Sequence, residues 1–207
     1  MATKVIIPAR NEEKTIGPIV GAFSMHPDEF EVYVGIDADT DDKTAQVALD
    51  WGGISVPFTT IRGKGQVVRT TLETLDKAGF LEANERVILC DGDYTGLTFD
   101  HVVLITRETE GMILGVPDWP DIDVPNHVIN AWPQVTGFRC LPWQLVPPNA
   151  HGYLLESQLN LKAVNSRLPI RQIFMTGLKA PFQWPLSPKR MAELQRDRKW
   201  GLENGVL

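Results

Sequence analysis

Short apolar runs alternate with segments of helical period through the first hundred residues, and this alternation constrains the fold more than any other feature. Strands are predicted at residues 4–8, 32–37, 54–58 and 86–91. Between the first two runs, Ile16, Ile19 and Phe23 recur at the spacing of one helix face. Strand–helix–strand units at this pitch predict right-handed crossovers and an α/β, Rossmann-like domain with a mostly parallel central sheet.

Polar residues follow three of the predicted strands at the point where each strand ends. The first strand ends in Pro-Ala-Arg-Asn-Glu-Glu (8–13), the second in Asp-Ala-Asp (37–39) and the fourth in Asp-Gly-Asp (91–93). Ligands of open parallel sheets bind outside the carboxyl ends of the strands. The three segments therefore predict one binding site at this edge of the sheet.

The Asp91-Gly92-Asp93 segment places two carboxylates one residue apart directly after an apolar strand. Hard divalent cations such as Mg²⁺ and Mn²⁺ prefer oxygen ligands and keep phosphate oxygens or waters in their remaining positions. Such a cation would offset the charge of a departing diphosphate. Asp-Gly is also a common turn pair, so a plain turn remains an alternative for this segment.

Two further segments suit a nucleotide. Asp37 and Asp39 stand near a strand end, where they can accept hydrogen bonds from a ribose or a base, whereas Asp41 and Asp42 suit the cap of the following helix. The Gly63-Lys64-Gly65 triplet opens the third predicted helix, and its glycines, helix N–H groups and lysine charge suit a phosphate. A flexible turn remains the alternative for the triplet.

Composition excludes some classes of function. The net charge of −6 argues against a broad nucleic-acid surface, which needs clustered lysine and arginine. Cys90 and Cys140 form neither a disulfide framework nor a metal-ligand spacing, which fits a reducing compartment. No apolar run approaches the ~20 residues that span a bilayer, so we expect a cytoplasmic protein.

Four segments, in their order along the chain, resemble those of the family 2 glycosyltransferases. They are residues 8–13, the acidic strand end at Asp37, residues 62–65 and residues 91–93. The likeness is greatest to the glucosyl-3-phosphoglycerate synthases. It implies a single GT-A domain over residues 1–207, with a nucleotide-sugar-binding half at about 1–100 and a loop-rich acceptor half at about 101–207. The implied activity is metal-dependent transfer of a sugar from a uridine diphosphate (UDP) sugar to a hydroxyl acceptor, with Mn²⁺ or Mg²⁺ as cofactor.

The resemblance and the strand-end patterns together imply the site residues. The nucleotide-sugar contacts are assigned to Pro8, Ala9, Arg10, Glu12, Asp37, Ala38, Asp39, Lys64, Asp91 and Gly92. Asp93 is the implied direct metal ligand beside Asp91. The synthases complete the metal site with a histidine that residues 176–181 lack, so His151 is a candidate third ligand and Lys179 a candidate replacement for metal charge.

Two residues of the second half are candidates for chemistry. Glu156, in a Gly-Tyr-Leu-Leu-Glu segment, is implied to orient the transferred sugar or to act as an acid or base. Arg139, in Thr-Gly-Phe-Arg, suits bidentate contact with an anionic acceptor or diphosphate. The alternatives are a solvent-facing glutamate on an amphipathic helix and a surface arginine.

Several alternatives stay open at the level of function. A nucleotidyltransferase is disfavoured because the loop after the first strand lacks glycine, and the missing histidine leaves room for a non-catalytic nucleotide-sugar-binding protein. The acceptor is a phosphoglycerate-like molecule, a protein side chain or a hydroxymethylated DNA base. An extruded base needs stacking surfaces, for which the candidates are Trp119, Trp132, Trp143 and Trp184. We expect residues 116–132, rich in proline and tryptophan, to form a mobile cover, and a homodimer remains open.

Overall fold

The computed structural model describes residues 2–118, 136–181 and 187–203, and this part of the chain forms a seven-stranded sheet flanked by helices. The strands are β1 (Thr3–Ala9), β2 (Phe30–Ile36), β3 (Ile54–Pro57), β4 (Arg86–Leu89), β5 (Met112–Pro117), β6 (Arg139–Pro142) and β7 (Ile170–Met175). The helices are α1 (Ile16–Ser24), α2 (Thr44–Asp50), α3 (Lys64–Lys77), α4 (Phe99–Thr106), α5 (Leu155–Asn165) and α6 (Pro188–Glu203). Two 3₁₀ turns, Trp143–Leu145 and Gly152–Leu154, precede α5.

The strands lie side by side in the order β3, β2, β1, β4, β6, β5, β7. Neighbours are parallel except at β6, which runs antiparallel to both β4 and β5. The predicted mostly parallel α/β sheet is therefore confirmed, and the four predicted strands are present with ends shifted by at most two residues. Parallel order in β3, β2, β1 and β4 brings their carboxyl ends to one edge.

Both faces of the sheet are buried at its five central strands, from β2 to β5 in the spatial order, which accounts for the nearly continuous apolar runs in these strands. On one face, Val5 and Ile7 of β1 pack in a cluster with Phe23 of α1. On the other face, Ile6 packs in a cluster that includes Leu72 of α3 and Leu159 of α5. Alternate residues of β1 thus serve opposite layers, as the two-residue period of a strand requires.

Three expectations from the sequence concern the segment 116–132, the two cysteines and the absence of a membrane span. Of the segment predicted as a mobile cover, residues 119–132 lie outside the described residues, so that expectation remains a prediction. Cys90 and Cys140 are both buried and free, in agreement with the expectation that they form no disulfide. Among the described helices, none combines the length and the apolar character needed to cross a bilayer.

The α1 layer yields a stability prediction. Phe23 is fully buried in the cluster between α1 and the sheet. Phe23→Ala should lower the free energy of unfolding by about 3–5 kcal/mol, because it removes buried apolar surface and leaves a cavity. Met25, two residues on, is 73% exposed, so Met25→Ala should change it by less than about 0.5 kcal/mol. Urea titrations of both variants followed by circular dichroism measure the difference, and equal midpoints would contradict this account of the core.

Candidate functional site

A cavity of about 620 Å³ opens where the carboxyl ends of β1, β2 and β4 meet the start of α3. Most of the predicted site residues line it: Pro8, Ala9, Arg10, Glu12, Asp37, Asp39, Lys64, Asp91, Gly92, Asp93, His151 and Glu156. Parallel strand order explains this gathering, because residues far apart in sequence share one sheet edge. Ala38 and Arg139 do not line the cavity.

An acidic cluster forms one side of the cavity. Burial, reinforced by the charges of Asp91 and Glu12, raises the pKa of Asp93 to about 7. Burial also raises the pKa of Glu12, although the hydroxyl of Thr15, 3.2 Å from its Oε2, partly offsets this shift. The cluster therefore carries more negative charge than the surrounding protein stabilises, which favours a bound cation.

Lys64 lies between two of the carboxylates. Its Nζ is 2.5 Å from Oδ1 of Asp91 and also donates to Oε1 of Glu156. Burial alone would lower the pKa of Lys64, but the two carboxylates outweigh it and raise the pKa well above the usual value. Glu156 is only 7% exposed. It lies in the first turn of α5 and lines the cavity, so it is not the solvent-facing helix residue considered as the alternative.

Asp37 connects the end of β2 to the start of α3. Its carboxylate is buried and accepts hydrogen bonds from the backbone N–H of Gly63 at 2.6 Å and of Asp39 at 2.9 Å. Asp39 in turn accepts from Nε of Arg62 at 2.7 Å. Ala38 is predicted to contact the nucleotide, but it lies off the cavity wall and donates its backbone N–H to Ile61. The reason is that β2 ends at Ile36 and residues 37–40 form a turn, closed by the hydrogen bond from the Thr40 N–H to the carbonyl of Asp37 at 3.0 Å, with Ala38 at one of its two central positions.

Hydrogen bonds connect the loops after β1 and β2 beside the cavity. Asn11 has a positive φ of 61°, and its Oδ1 accepts from the backbone N–H of Asp41. The backbone N–H of Glu12 donates to Oγ1 of Thr44 at 2.7 Å. Asp42 accepts from the backbone N–H of Thr44, the first residue of α2, as predicted for a helix-capping aspartate. These bonds hold the loop bearing Arg10 and Glu12 without using the cavity-facing carboxylates.

Arg139 takes a different position from the one expected. Its side chain is fully buried at the start of β6, where Nε donates to the carbonyl of Thr136 and Nη1 donates to Oδ1 of Asn160 at 2.6 Å. Burial lowers its pKa, while nearby acidic groups, with Glu156 foremost, oppose that shift. A guanidinium placed beneath the site cannot reach a ligand in the cavity. Arg139 therefore supports the site electrostatically and is not a bidentate contact for an acceptor.

Two other residues expected near phosphate lie elsewhere. A Cβ added to Gly65 would stand 2.6 Å from the backbone nitrogen of His151, so this glycine permits α3 to pack against the chain before α5. Lys179 pairs its backbone with Thr95 and does not line the cavity. Of the Gly-Lys-Gly triplet, Gly63 and Lys64 face the cavity.

His151 lines the cavity but is engaged away from the aspartate pair. Its Nδ1 lies 2.7 Å from Nε2 of Gln66, its Nε2 lies 3.4 Å from Oδ1 of Asp197, and its ring stacks on Trp200. Within the described residues, no group of three or more His, Cys, Asp or Glu side chains is placed to hold a metal. The structure thus does not bring His151 to Asp91 and Asp93 as a third ligand.

Helix α6 supplies part of the wall that the sequence motifs did not reveal. Glu193, Leu194, Arg196 and Asp197 line the cavity, and Oε1 of Glu193 lies 3.6 Å from Nη2 of Arg10. The helix is rich in charge and carries no recognisable motif. The available signal was the spacing of Asp197 and Trp200, three residues apart and hence on one helix face.

Comparison with known proteins places these features in context. No protein-family model matches the sequence. A stretch of 91 residues is 36% identical to Protein RfbJ of Shigella flexneri, covering 44% of this chain and 64% of that protein, which is less than two thirds of its length.

Solved structures match over more of the chain. Glucosyl-3-phosphoglycerate synthase from Mycobacterium tuberculosis, in complex with Mn²⁺, UDP and glucosyl-3-phosphoglycerate, is similar with a TM-score of 0.76 and 19% identity, over 100% of this chain and 81% of that one. The same enzyme with Mn²⁺, UDP-glucose and phosphoglyceric acid gives a TM-score of 0.74 at 19% identity, over 100% and 80%. The resemblance predicted from the motifs is thus confirmed in the fold: this chain has the GT-A fold of the glucosyl-3-phosphoglycerate synthases.

Proposed function

We propose that the protein is a glycosyltransferase that moves a sugar from a UDP-sugar to a hydroxyl group of a small acceptor, with Mn²⁺ or Mg²⁺. The observation that carries this proposal is the joint placement of an acidic cluster and the Lys64–Glu156 ion pair in one cavity at the strand ends. Support comes from the similar solved structures, which contain Mn²⁺ with UDP or UDP-glucose.

The residues fit a metal that arrives with the donor. Asp93 and Asp91 would hold the ion, since the raised pKa of Asp93 reflects negative charge that a cation would stabilise. Two carboxylates suffice when diphosphate oxygens and waters fill the other positions, which agrees with the lack of a three-residue ligand group in the described chain. When bound, the ion supplies positive charge to the leaving diphosphate.

The protein's own groups would then bind, orient and handle the proton. Lys64 presents an ammonium group beside Asp91 at the start of α3. The diphosphate of a donor would contact this group as a second positive charge besides the metal ion. The wall formed by residues 8–12, with Asp37 and Asp39, would contact the nucleoside. Glu156 would orient the sugar or accept the proton of the acceptor hydroxyl, because its carboxylate is buried in the cavity beside Lys64.

A small anionic acceptor suits the cavity better than a DNA base. Arginines 10, 62 and 196 line the cavity and can attract a phosphate or carboxylate. Of the four tryptophans considered for base stacking, only Trp143 lies within the described residues. It is outside the cavity lining and donates its indole N–H to the carbonyl of Glu82. A phosphorylated hydroxy acid resembling phosphoglycerate is therefore the acceptor that we propose.

The first test of the proposed function concerns donor turnover. With Mn²⁺ and UDP-glucose, the protein should release UDP in the presence of 3-phosphoglycerate, and Asp93→Ala should remove at least about 99% of this activity, because the metal carries much of the charge stabilisation. Coupled UDP release measures it, with glycerate and hydroxymethylated DNA as competing acceptors. Pyrophosphate release from UTP and a sugar phosphate would instead indicate a nucleotidyltransferase, and calorimetric UDP binding without turnover would indicate a binding protein.

The second test concerns Glu156. Glu156→Gln keeps the shape of the side chain but removes its charge and basicity, so kcat should fall by about 10²–10⁴-fold while the affinity for UDP changes little. Glu73→Gln is the matched control, because Glu73 lies on α3 with its side chain 45% exposed. Steady-state kinetics and UDP calorimetry on both variants make the comparison. Wild-type turnover in folded Glu156→Gln would remove the catalytic assignment.

The third test follows from Asp93. Its pKa is about 7 in the folded protein against an ordinary value of 3.8, so between these values the folded state binds more protons than the unfolded state. The free energy of unfolding of metal-free protein should therefore fall as pH rises from about 4 to about 7 and level off above. Asp93→Asn should flatten this part of the profile, and Mn²⁺ should stabilise the wild type most at the upper end. Urea titrations at each pH test it, and identical profiles for both proteins would refute the shift.

A further inference from the structure

Asp197 is an almost fully buried carboxylate on a helix whose neighbouring residues are largely exposed. It is 3% exposed, and its two oxygens face the chain that leads into α5. Oδ2 accepts from the backbone N–H of Tyr153 at 2.8 Å, and Oδ1 lies 3.4 Å from Nε2 of His151. Burying a carboxylate is costly unless such partners are present.

The backbone at Gly152 is shaped to admit this carboxylate. Gly152 has a φ of +44°, and a Cβ at this position would lie 2.1 Å from Oδ2 of Asp197. Any other residue would therefore collide with the Asp197 side chain. The chain thus brings the backbone of residues 152 and 153 against α6, immediately before the helix that carries Glu156.

Hydrogen-bond polarity determines the tautomer of His151. Oε1 of Gln66 accepts from the backbone N–H of Gly152 at 2.8 Å, and a backbone N–H can only donate. The amide nitrogen of Gln66 consequently faces Nδ1 of His151 and donates to it at 2.7 Å. The proton of the neutral ring must then lie on Nε2, the ring nitrogen that is 3.4 Å from Oδ1 of Asp197. Stacking on Trp200, with ring centroids 4.1 Å apart, holds the ring in this plane.

We propose that Asp197 is a positioning residue of the active centre, the terminal acceptor of a relay that runs from Gly152 through Gln66 and His151. The relay starts and ends on adjacent backbone N–H groups, those of Gly152 and Tyr153. It also joins the two sides of the Lys64–Glu156 ion pair, since Gln66 lies two residues after Lys64 and Tyr153 three residues before Glu156. Asp197 therefore holds Glu156 at its place beside Lys64. This inference rests on the proposed sugar transfer.

Asp197→Asn tests the relay because an amide has one acceptor and one donor end. If its oxygen keeps the Tyr153 bond, its NH₂ group meets the Nε2–H of His151, and the ring proton must move to Nδ1. That proton then faces the NH₂ group of Gln66, and two donors oppose each other. If the Gln66 amide turns so that its oxygen accepts from Nδ1–H, its NH₂ group faces the backbone N–H of Gly152, which can only donate. Adding Gln66→Glu restores consistency, because a carboxylate accepts from both Nδ1–H and the Gly152 N–H.

The experiment combines kinetics with ¹⁵N NMR of the imidazole rings, with the His151 signals identified by their loss in His151→Phe. We expect the Nε2–H tautomer in wild type and the Nδ1–H tautomer in Asp197→Asn. The kcat of Asp197→Asn should fall about 10–100-fold, as for a small displacement of a reacting group, with an unchanged KM for the UDP-sugar. The double variant should regain most of the loss, and Gln195→Ala, at an exposed position of α6 outside the cavity lining, should match wild type.

Three results would overturn the proposal: an Nδ1–H tautomer in wild type, wild-type kcat in Asp197→Asn, or no recovery in a double variant that melts at the wild-type temperature. If Asp197→Asn does not fold, His151→Phe tests the same link, since it keeps the stacking on Trp200 but breaks the relay; wild-type kcat in that variant equally refutes it. Failure of the proposed sugar transfer is separable, because the NMR readout needs no substrate. A wild-type protein without transferase activity but with the Nε2–H tautomer retains the relay and loses the proposed function.

Discussion

One ammonium group holds the candidate site together. Lys64, the first residue of α3, contacts Asp91 at the end of β4 and Glu156 at the start of α5. Without a cation between them, the half-buried carboxylate of Asp91 and the buried one of Glu156 would repel each other, because screening by water is reduced there. The lysine allows both to occupy one cavity. In the proposed reaction, a donor that brings a metal and a diphosphate would enter a site whose charges are already arranged around this contact.

The surroundings of this contact are closely packed. A Cβ on Gly137 would lie 2.1 Å from Oδ2 of Asp91, so the backbone before β6 passes directly against that carboxylate. The loop is held there by Tyr94, whose hydroxyl accepts from the Gly137 N–H at 3.0 Å. Arg139 lies beneath, buried, and contributes positive charge from behind the acidic groups. Close packing of this kind restricts the carboxylates to one arrangement, which is what a preorganised catalytic site requires.

Helix α6 shows how a segment without a motif becomes part of a site. Its contributions are the buried Asp197, the stacked Trp200 and the contact of Glu193 with Arg10. Asp197 and Trp200 join the helix to residues 151–153 before α5, and Glu193 joins it to the loop after β1. The cavity opens at one edge of the GT-A sheet, and α6 forms one of its sides.

The sequence by itself determined the sheet and the edge at which the cavity opens, because both depend on local patterns. The apolar runs at 4–8, 32–37, 54–58 and 86–91 became strands, and the polar segments after them line the cavity, including Asp93 and Lys64. Tertiary structure alone decided the partners of the remaining polar groups. The sequence predicted an anion contact at Arg139, which is buried. It also predicted a metal ligand at His151, which instead contacts Gln66 and Asp197. The physical reason is that burial and hydrogen-bond partners arise from contacts across the fold: Gln66 and His151 stand 85 positions apart in the chain, a pairing that no local pattern encodes.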